Sequence, residues 1–219
     1  MMTWMAIAVL FACLLAALAW SYRARERRPP ERGRHPQIDT PAARVAAHEA
    51  GHVVAAWSCA AVSEVSRVEM DDDGGTTYYR MPIEGNEWSQ IVISLAGICA
   101  ESMIFRRWKS GPSRHDMQTA RALASALQAR GEDTPPWTPS RTDVPLEKAF
   151  FDQLSAGELE TMQIAYAEAQ RIVDRHAKEL YLVAGDLLAT GRLDRDHLAS
   201  RLPRRYLAGL PWQRGRFMI

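Results

Sequence analysis

The chain has 219 residues, and Lys plus Arg (27) nearly balance Asp plus Glu (26) for a formal net charge of +1. No basic excess of the kind that nucleic-acid binding draws on is present. The length suits one membrane segment plus one globular domain of about 180 residues, and two large domains would be crowded.

Residues 1–20 carry no charged side chain and are almost wholly apolar, long enough as a helix to cross a hydrocarbon layer of about 30 Å. A cleaved secretory signal would open on a basic segment, and no Lys or Arg precedes this run. Residues 1–22 therefore read as a transmembrane anchor. Arg23, Arg25, Arg27, Arg28, Arg32 and Arg34 against Glu26 and Glu31 give residues 21–34 a net charge of +4. The positive-inside rule then places the N-terminus outside a cytoplasmic membrane and the following domain in the cytoplasm. With Pro29, Pro30, Gly33 and Pro36, residues 23–39 read as a basic, extended tether.

The helix expected next has Thr40 as N-cap, Pro41 at its first position and an uninterrupted run over 42–57. It contains His48-Glu49-Ala50-Gly51-His52. On a helix the two histidines fall one turn apart on one face, where both imidazoles can grip one metal ion. Zinc held by two such histidines and one further ligand keeps a position open for water, whose pKa it lowers towards about 7. Glu49 beside it suits the general acid/base work of peptide hydrolysis. A His-x-x-x-His pair also occurs as ordinary packing, but Gly51 costs about 1 kcal/mol against Ala in a helix and implies close approach by another backbone or by the metal site.

Residues 62–70 and 76–83 are β-favouring runs joined by Asp71-Asp72-Asp73-Gly74-Gly75, a hairpin whose acidic turn lacks the ligand spacing of an EF-hand. From Asn86 to about Trp108 a helix is expected, apolar nearly all round over 91–100 and therefore buried. Ser113 caps a helix ending near Gly131, followed by a proline-rich loop, a short helix over 146–154, one long amphipathic helix over 156–190 stopped by Gly191, and a last short helix capped by Asp194. Cys13 falls in the anchor, while Cys59 and Cys99 stand in apolar stretches without a Cys-x-x-Cys pair and read as reduced packing residues. No internal repeat and no Walker-type loop occurs, so the sequence shows no means of using ATP.

A third ligand is needed. The metzincin pattern would require Gly at 55 and His at 58, where the chain has Ala55 and Ser58. A glutamate from a downstream helix, Glu87 or Glu101, is the alternative that the residues themselves leave open. His-Glu-Ala-Gly-His, a β segment, Leu95-Ala96-Gly97-Ile98-Cys99-Ala100-Glu101 and then Ser110-Gly111-Pro112-Ser113-Arg114-His115-Asp116 opening a helix follow in this order. This order resembles the peptidase domain of FtsH-type membrane-anchored zinc proteases, and the likeness runs over about residues 40–202, including Gly191-Arg192-Leu193-Asp194.

The resemblance implies an α+β, mostly helical, zincin-like domain with a small β segment and a C-terminal helical bundle over 40–202, followed by a tail over 203–219. It implies zinc held by His48, His52 and Asp116, with Glu49 as catalytic base and Glu101 in a supporting or packing role. His115 stands where the family typically has Asn and reads as a bystander more readily than as an alternative ligand. The family couples its peptidase to an ATP-driven unfoldase, which this sequence lacks. The expectation is therefore an ATP-independent metalloendopeptidase acting on unfolded or flexible polypeptides, as a homo-oligomer that is hexameric by analogy, with a AAA motor on another chain as a further partner. The competing expectation is a non-catalytic, zinc-stabilised adaptor or oligomerisation module serving a separate membrane AAA protease.

Overall fold

The structure, a computed structural model, describes residues 39–71, 74–82, 86–106, 113–131 and 154–202. The expected anchor, most of the tether, nearly all of the short helix over 146–154 and the tail lie outside them. The described residues all belong to one compact unit that begins at Ile38. They form an α+β arrangement of six helices and one small antiparallel sheet.

Helix α1, Pro41–Ser58, starts as its sequence demands: the Thr40 hydroxyl accepts a hydrogen bond from the Ala43 amide at 3.1 Å, and Pro41 occupies the first turn, where no amide is needed. Strands β1, Glu64–Met70, and β2, Gly75–Arg80, form the expected hairpin, with the Asp71 carboxylate accepting from the Gly74 amide across the turn. β2 ends at Arg80, before the expected limit at residue 83. Pro82 follows and has no amide to add to a ladder.

Helix α2, Glu87–Phe105, is the centre of the core and packs on α1, on α3 (Arg114–Ala129) and on α4 (Ala156–Arg175). Among the described residues it is the one helix long and apolar enough to cross a membrane, yet 67% of its apolar window is buried inside the fold. A core helix meets the same length and composition. Its last helical residue is Phe105, and Arg106 is a left-handed C-cap with φ 63°. Trp108, the expected end of the helix, lies outside the described residues.

Two larger expectations are corrected as well. The single helix over 156–190 is two: α4 ends at Arg175, His176 leaves helical geometry, and α5 runs over Ala177–Thr190. A straight helix of that length would reach about 52 Å, far past the core. The break lets α4 pack on α2 while α5 folds back on α1, and the His176 ring meets Trp57 edge-on at 5.0 Å. Apolar periodicity continues through the break because both halves have a buried face. The second correction is a third strand, β3, Arg192–Asp194, which pairs antiparallel with β1 to give the order β2-β1-β3. In it Leu193 is buried opposite Val68. Gly191, at φ 72°, ends α5 and turns the chain into this strand, and Asp194 then caps α6, Arg195–Arg201, by accepting from the His197 amide.

Candidate metal centre

Two helices hold the histidines in place by approaching unusually closely. A Cβ on Gly51 would collide with the Ala96 carbonyl and come within 2.8 Å of the Ala100 side chain, so glycine there is what lets α1 lie against α2. On α2, next to Ala96, a Cβ on Gly97 would lie 2.6 Å from the His48 ring. The imidazole occupies the space that this second glycine leaves open. His48, Glu49 and His52 are all buried, and their ligand atoms lie within 4.8 Å of one another. The group can hold a metal ion.

The outer nitrogens decide how the rings face. Nδ1 of His48 lies 2.9 Å from Oε1 of Glu101, and Nδ1 of His52 lies 2.8 Å from the Ile93 carbonyl oxygen. With each Nδ1–H donated to an oxygen of α2, a ring that ligates a metal would do so through the lone pair of Nε2. Both Nε2 atoms face Asp116, at 2.7 Å for His48 and 3.5 Å for His52 from Oδ2. Zinc–nitrogen and zinc–oxygen bonds of about 2.1 Å set tetrahedral ligands about 3.4 Å apart. The His52–Asp116 separation matches that spacing, while the shorter His48–Asp116 distance is a hydrogen bond that a bound cation would replace and lengthen. Imidazole and carboxylate donors suit a first-row divalent cation, zinc among them.

Electrostatics favour positive charge at the same point. Burial opposes protonation of His48, but hydrogen bonds to Asp116 and Glu101 outweigh it and push the imidazole up to about 10. Burial likewise opposes ionisation of Asp116, yet the two histidines hold its carboxyl well below the usual carboxylate range. A metal ion would supply the charge that these acidic neighbours call for.

Glu49 is set from the sheet. The Thr77 hydroxyl donates to Oε2 of Glu49 at 2.8 Å and lies 3.3 Å from the Glu49 backbone carbonyl. A Cβ on Gly75 would collide with the Glu49 side chain, reaching 2.9 Å from its carboxyl carbon. Gly75 and Thr77 alternate onto one face of β2, so this strand both positions the carboxylate and leaves room for it.

Of the sequence-derived candidates, the fold brings His48, Glu49, His52 and Asp116 together. Glu101 stands behind His48, on the ring nitrogen opposite Asp116, and Glu87 pairs instead with Arg130 at 2.9 Å. Neither glutamate faces the Nε2 atoms. His115 is exposed, next to the inward-turned Asp116. Ser113 sits at the N-cap position of α3 without capping it, and its hydroxyl approaches Glu101 at 3.4 Å. Sequence reasoning missed Thr77, Gly75 and Gly97, whose roles depend on elements far apart in the chain. It also missed Arg44, for which a local signal existed: a charged residue four positions before His48 shares that histidine's helix face.

Compared with known protein families and with curated proteins, the chain gives no match.

Proposed function

We propose that this protein is a membrane-anchored, ATP-independent zinc metalloendopeptidase with a zincin-like catalytic domain, cleaving unfolded or flexible polypeptides at the cytoplasmic face of a membrane. The observation that carries this reading is the convergence of the two Nε2 atoms and the Asp116 carboxylate, with Glu49 beside them. The order of motifs that resembles FtsH-type peptidases supports it independently, as does the apolar, arginine-flanked N-terminal run.

His48, His52 and Asp116 would hold the ion. Bound zinc supplies Lewis acidity for water activation and for polarising a carbonyl. The remaining work falls to the chain. Glu49 accepts the proton of the attacking water and returns it to the leaving amine, which requires a carboxylate fixed in one rotamer. Thr77 provides that fixation. Among the described residues β2 is an edge strand of the sheet and carries Thr77 and Gly75 at the carboxylate, which supports an extended substrate bound there. An extended polypeptide adding to that edge would be bound through main-chain hydrogen bonds, with little demand on its side chains.

The test is Glu49→Gln in the full-length chain, assayed on a labelled unfolded polypeptide. Cleavage is expected to fall by about 10²–10⁴-fold or more while zinc content stays that of the wild type, and chelation should abolish wild-type cleavage. Unchanged cleavage in the variant removes Glu49 from the mechanism. A wild type that binds zinc and cleaves nothing is an adaptor.

A further inference from the structure

Behind the histidines lies an ion-pair chain, buried at Arg44 and Glu101, that the hydrolytic reading does not use. Arg44 is 3% exposed, although arginine is among the residues least often fully buried. Its Nε lies 2.6 Å from Oδ1 of Asp39 and its Nη2 lies 2.8 Å from Oδ2, a bidentate grip at the point where the domain begins. The third nitrogen, Nη1, reaches Oε2 of Glu101 at 3.2 Å. The other oxygen of Glu101 accepts from Nδ1 of His48, and Glu101 is wholly buried. The guanidinium also lies over the Phe105 ring, 4.7 Å from its centroid, which fixes its plane.

We infer that Arg44 is a positioning residue of the metal centre, clamped by Asp39 so that it aims the Glu101 carboxylate at the outer nitrogen of His48. This rests on the reading of His48 as a metal ligand. A buried carboxylate needs its charge and both oxygens satisfied. Arg44 holds Oε2 on the side away from His48, which turns Oε1 towards the imidazole, where the Ser113 hydroxyl also approaches it at 3.4 Å. A ligand whose outer nitrogen is held this way keeps its tautomer and ring orientation. Lysine cannot stand in, because one ammonium does not span a bidentate carboxylate and a second carboxylate in the fixed fork that guanidinium provides.

Zinc affinity, measured on the full-length chain in mild detergent by competition with a chromophoric chelator, tests the inference. Arg44→Met is expected to weaken zinc binding by about 10- to 100-fold, the usual effect of losing a partner that orients a ligand, and Arg44→Lys should fail to restore it. In a Glu101→Gln background Arg44→Met should have little further effect, because the two act in series. Wild-type affinity in Arg44→Met or full rescue by Arg44→Lys overturns the proposal, as do losses that simply multiply in the double variant. If Arg44→Met does not fold, Asp39→Asn carries the same cycle from a partly exposed position, with a smaller loss that must also vanish beside Glu101→Gln. A wild type that binds no zinc defeats the metal-site reading and this inference with it. A wild type that binds zinc while the variants match it defeats this inference alone.

Discussion

Helix α2 has two kinds of neighbour, and they are built on opposite principles. Towards α1 its surface is small and polar: Gly97 gives way to an imidazole, Ala96 and Ala100 admit Gly51, the Ile93 carbonyl holds one histidine and Glu101 the other. Towards α4 the contact is mainly apolar, with residues such as Met162 and Ala165 wholly buried and polar contacts at Tyr166, whose carbonyl accepts from the Cys99 thiol at 3.8 Å. The first seam is defined by distances, because hydrogen bonds and ligand spacing fail within a few tenths of an ångström. The second is defined by volume, because dispersion and apolar burial tolerate rearrangement so long as space is filled. A site placed on the first seam takes its geometry from that seam's own hydrogen bonds, while the bulk of the second stabilises the fold.

The sharpest way to separate the two seams is Gly97→Ala. The added methyl would enter the His48 ring position, so zinc affinity by chelator competition should drop by about 100-fold, at the upper end for a disturbed ligand environment. Apo-protein thermal stability should change far less. Equal losses in both would mean that the seams are not distinct.

Met162 provides the converse. Met162→Ala is expected to cost about 2–5 kcal/mol in denaturant unfolding, while Met162→Leu costs under about 1.5 kcal/mol, and both should bind zinc as the wild type does. A Met162→Leu variant that lost zinc would show the apolar seam to be as exacting as the polar one.

The smallest expected effect is at the sheet. Thr77→Val keeps the shape of the side chain and removes the hydrogen bond to Glu49, so kcat should fall about tenfold, equivalent to one charge-assisted bond of about 1.4 kcal/mol. Thr77→Ser should retain most of the rate, and zinc binding should be untouched in both. A kcat unmoved by Thr77→Val would detach β2 from the carboxylate.

Burial also explains the quiet cysteines. Cys59 and Cys99 are both free and buried. At Cys99 burial pushes the thiol well above its ordinary range, which removes the thiolate that reaction or metal binding there would need.

Much of the centre was legible in residues that sit close together in the chain. Thr40 and Pro41 begin a helix by satisfying or lacking amides within one turn, four-residue spacing puts His48 and His52 on one face, and an all-round apolar stretch in α2 demands burial. These follow from helix geometry and solvation, which need no partner. Asp116, 68 residues beyond His48, emerged from the chain only through its likeness to a family, since a carboxylate at the start of a helix serves the helix dipole equally well. Tertiary structure alone decided that Glu101 faces the outer nitrogen and Asp116 the inner one, that Thr77 reaches Glu49, that α4 and α5 part at His176, and that Arg192–Asp194 becomes a strand. Each of those depends on which distant surface a segment packs against, and a period of apolar residues reports that a face is buried without recording what buries it.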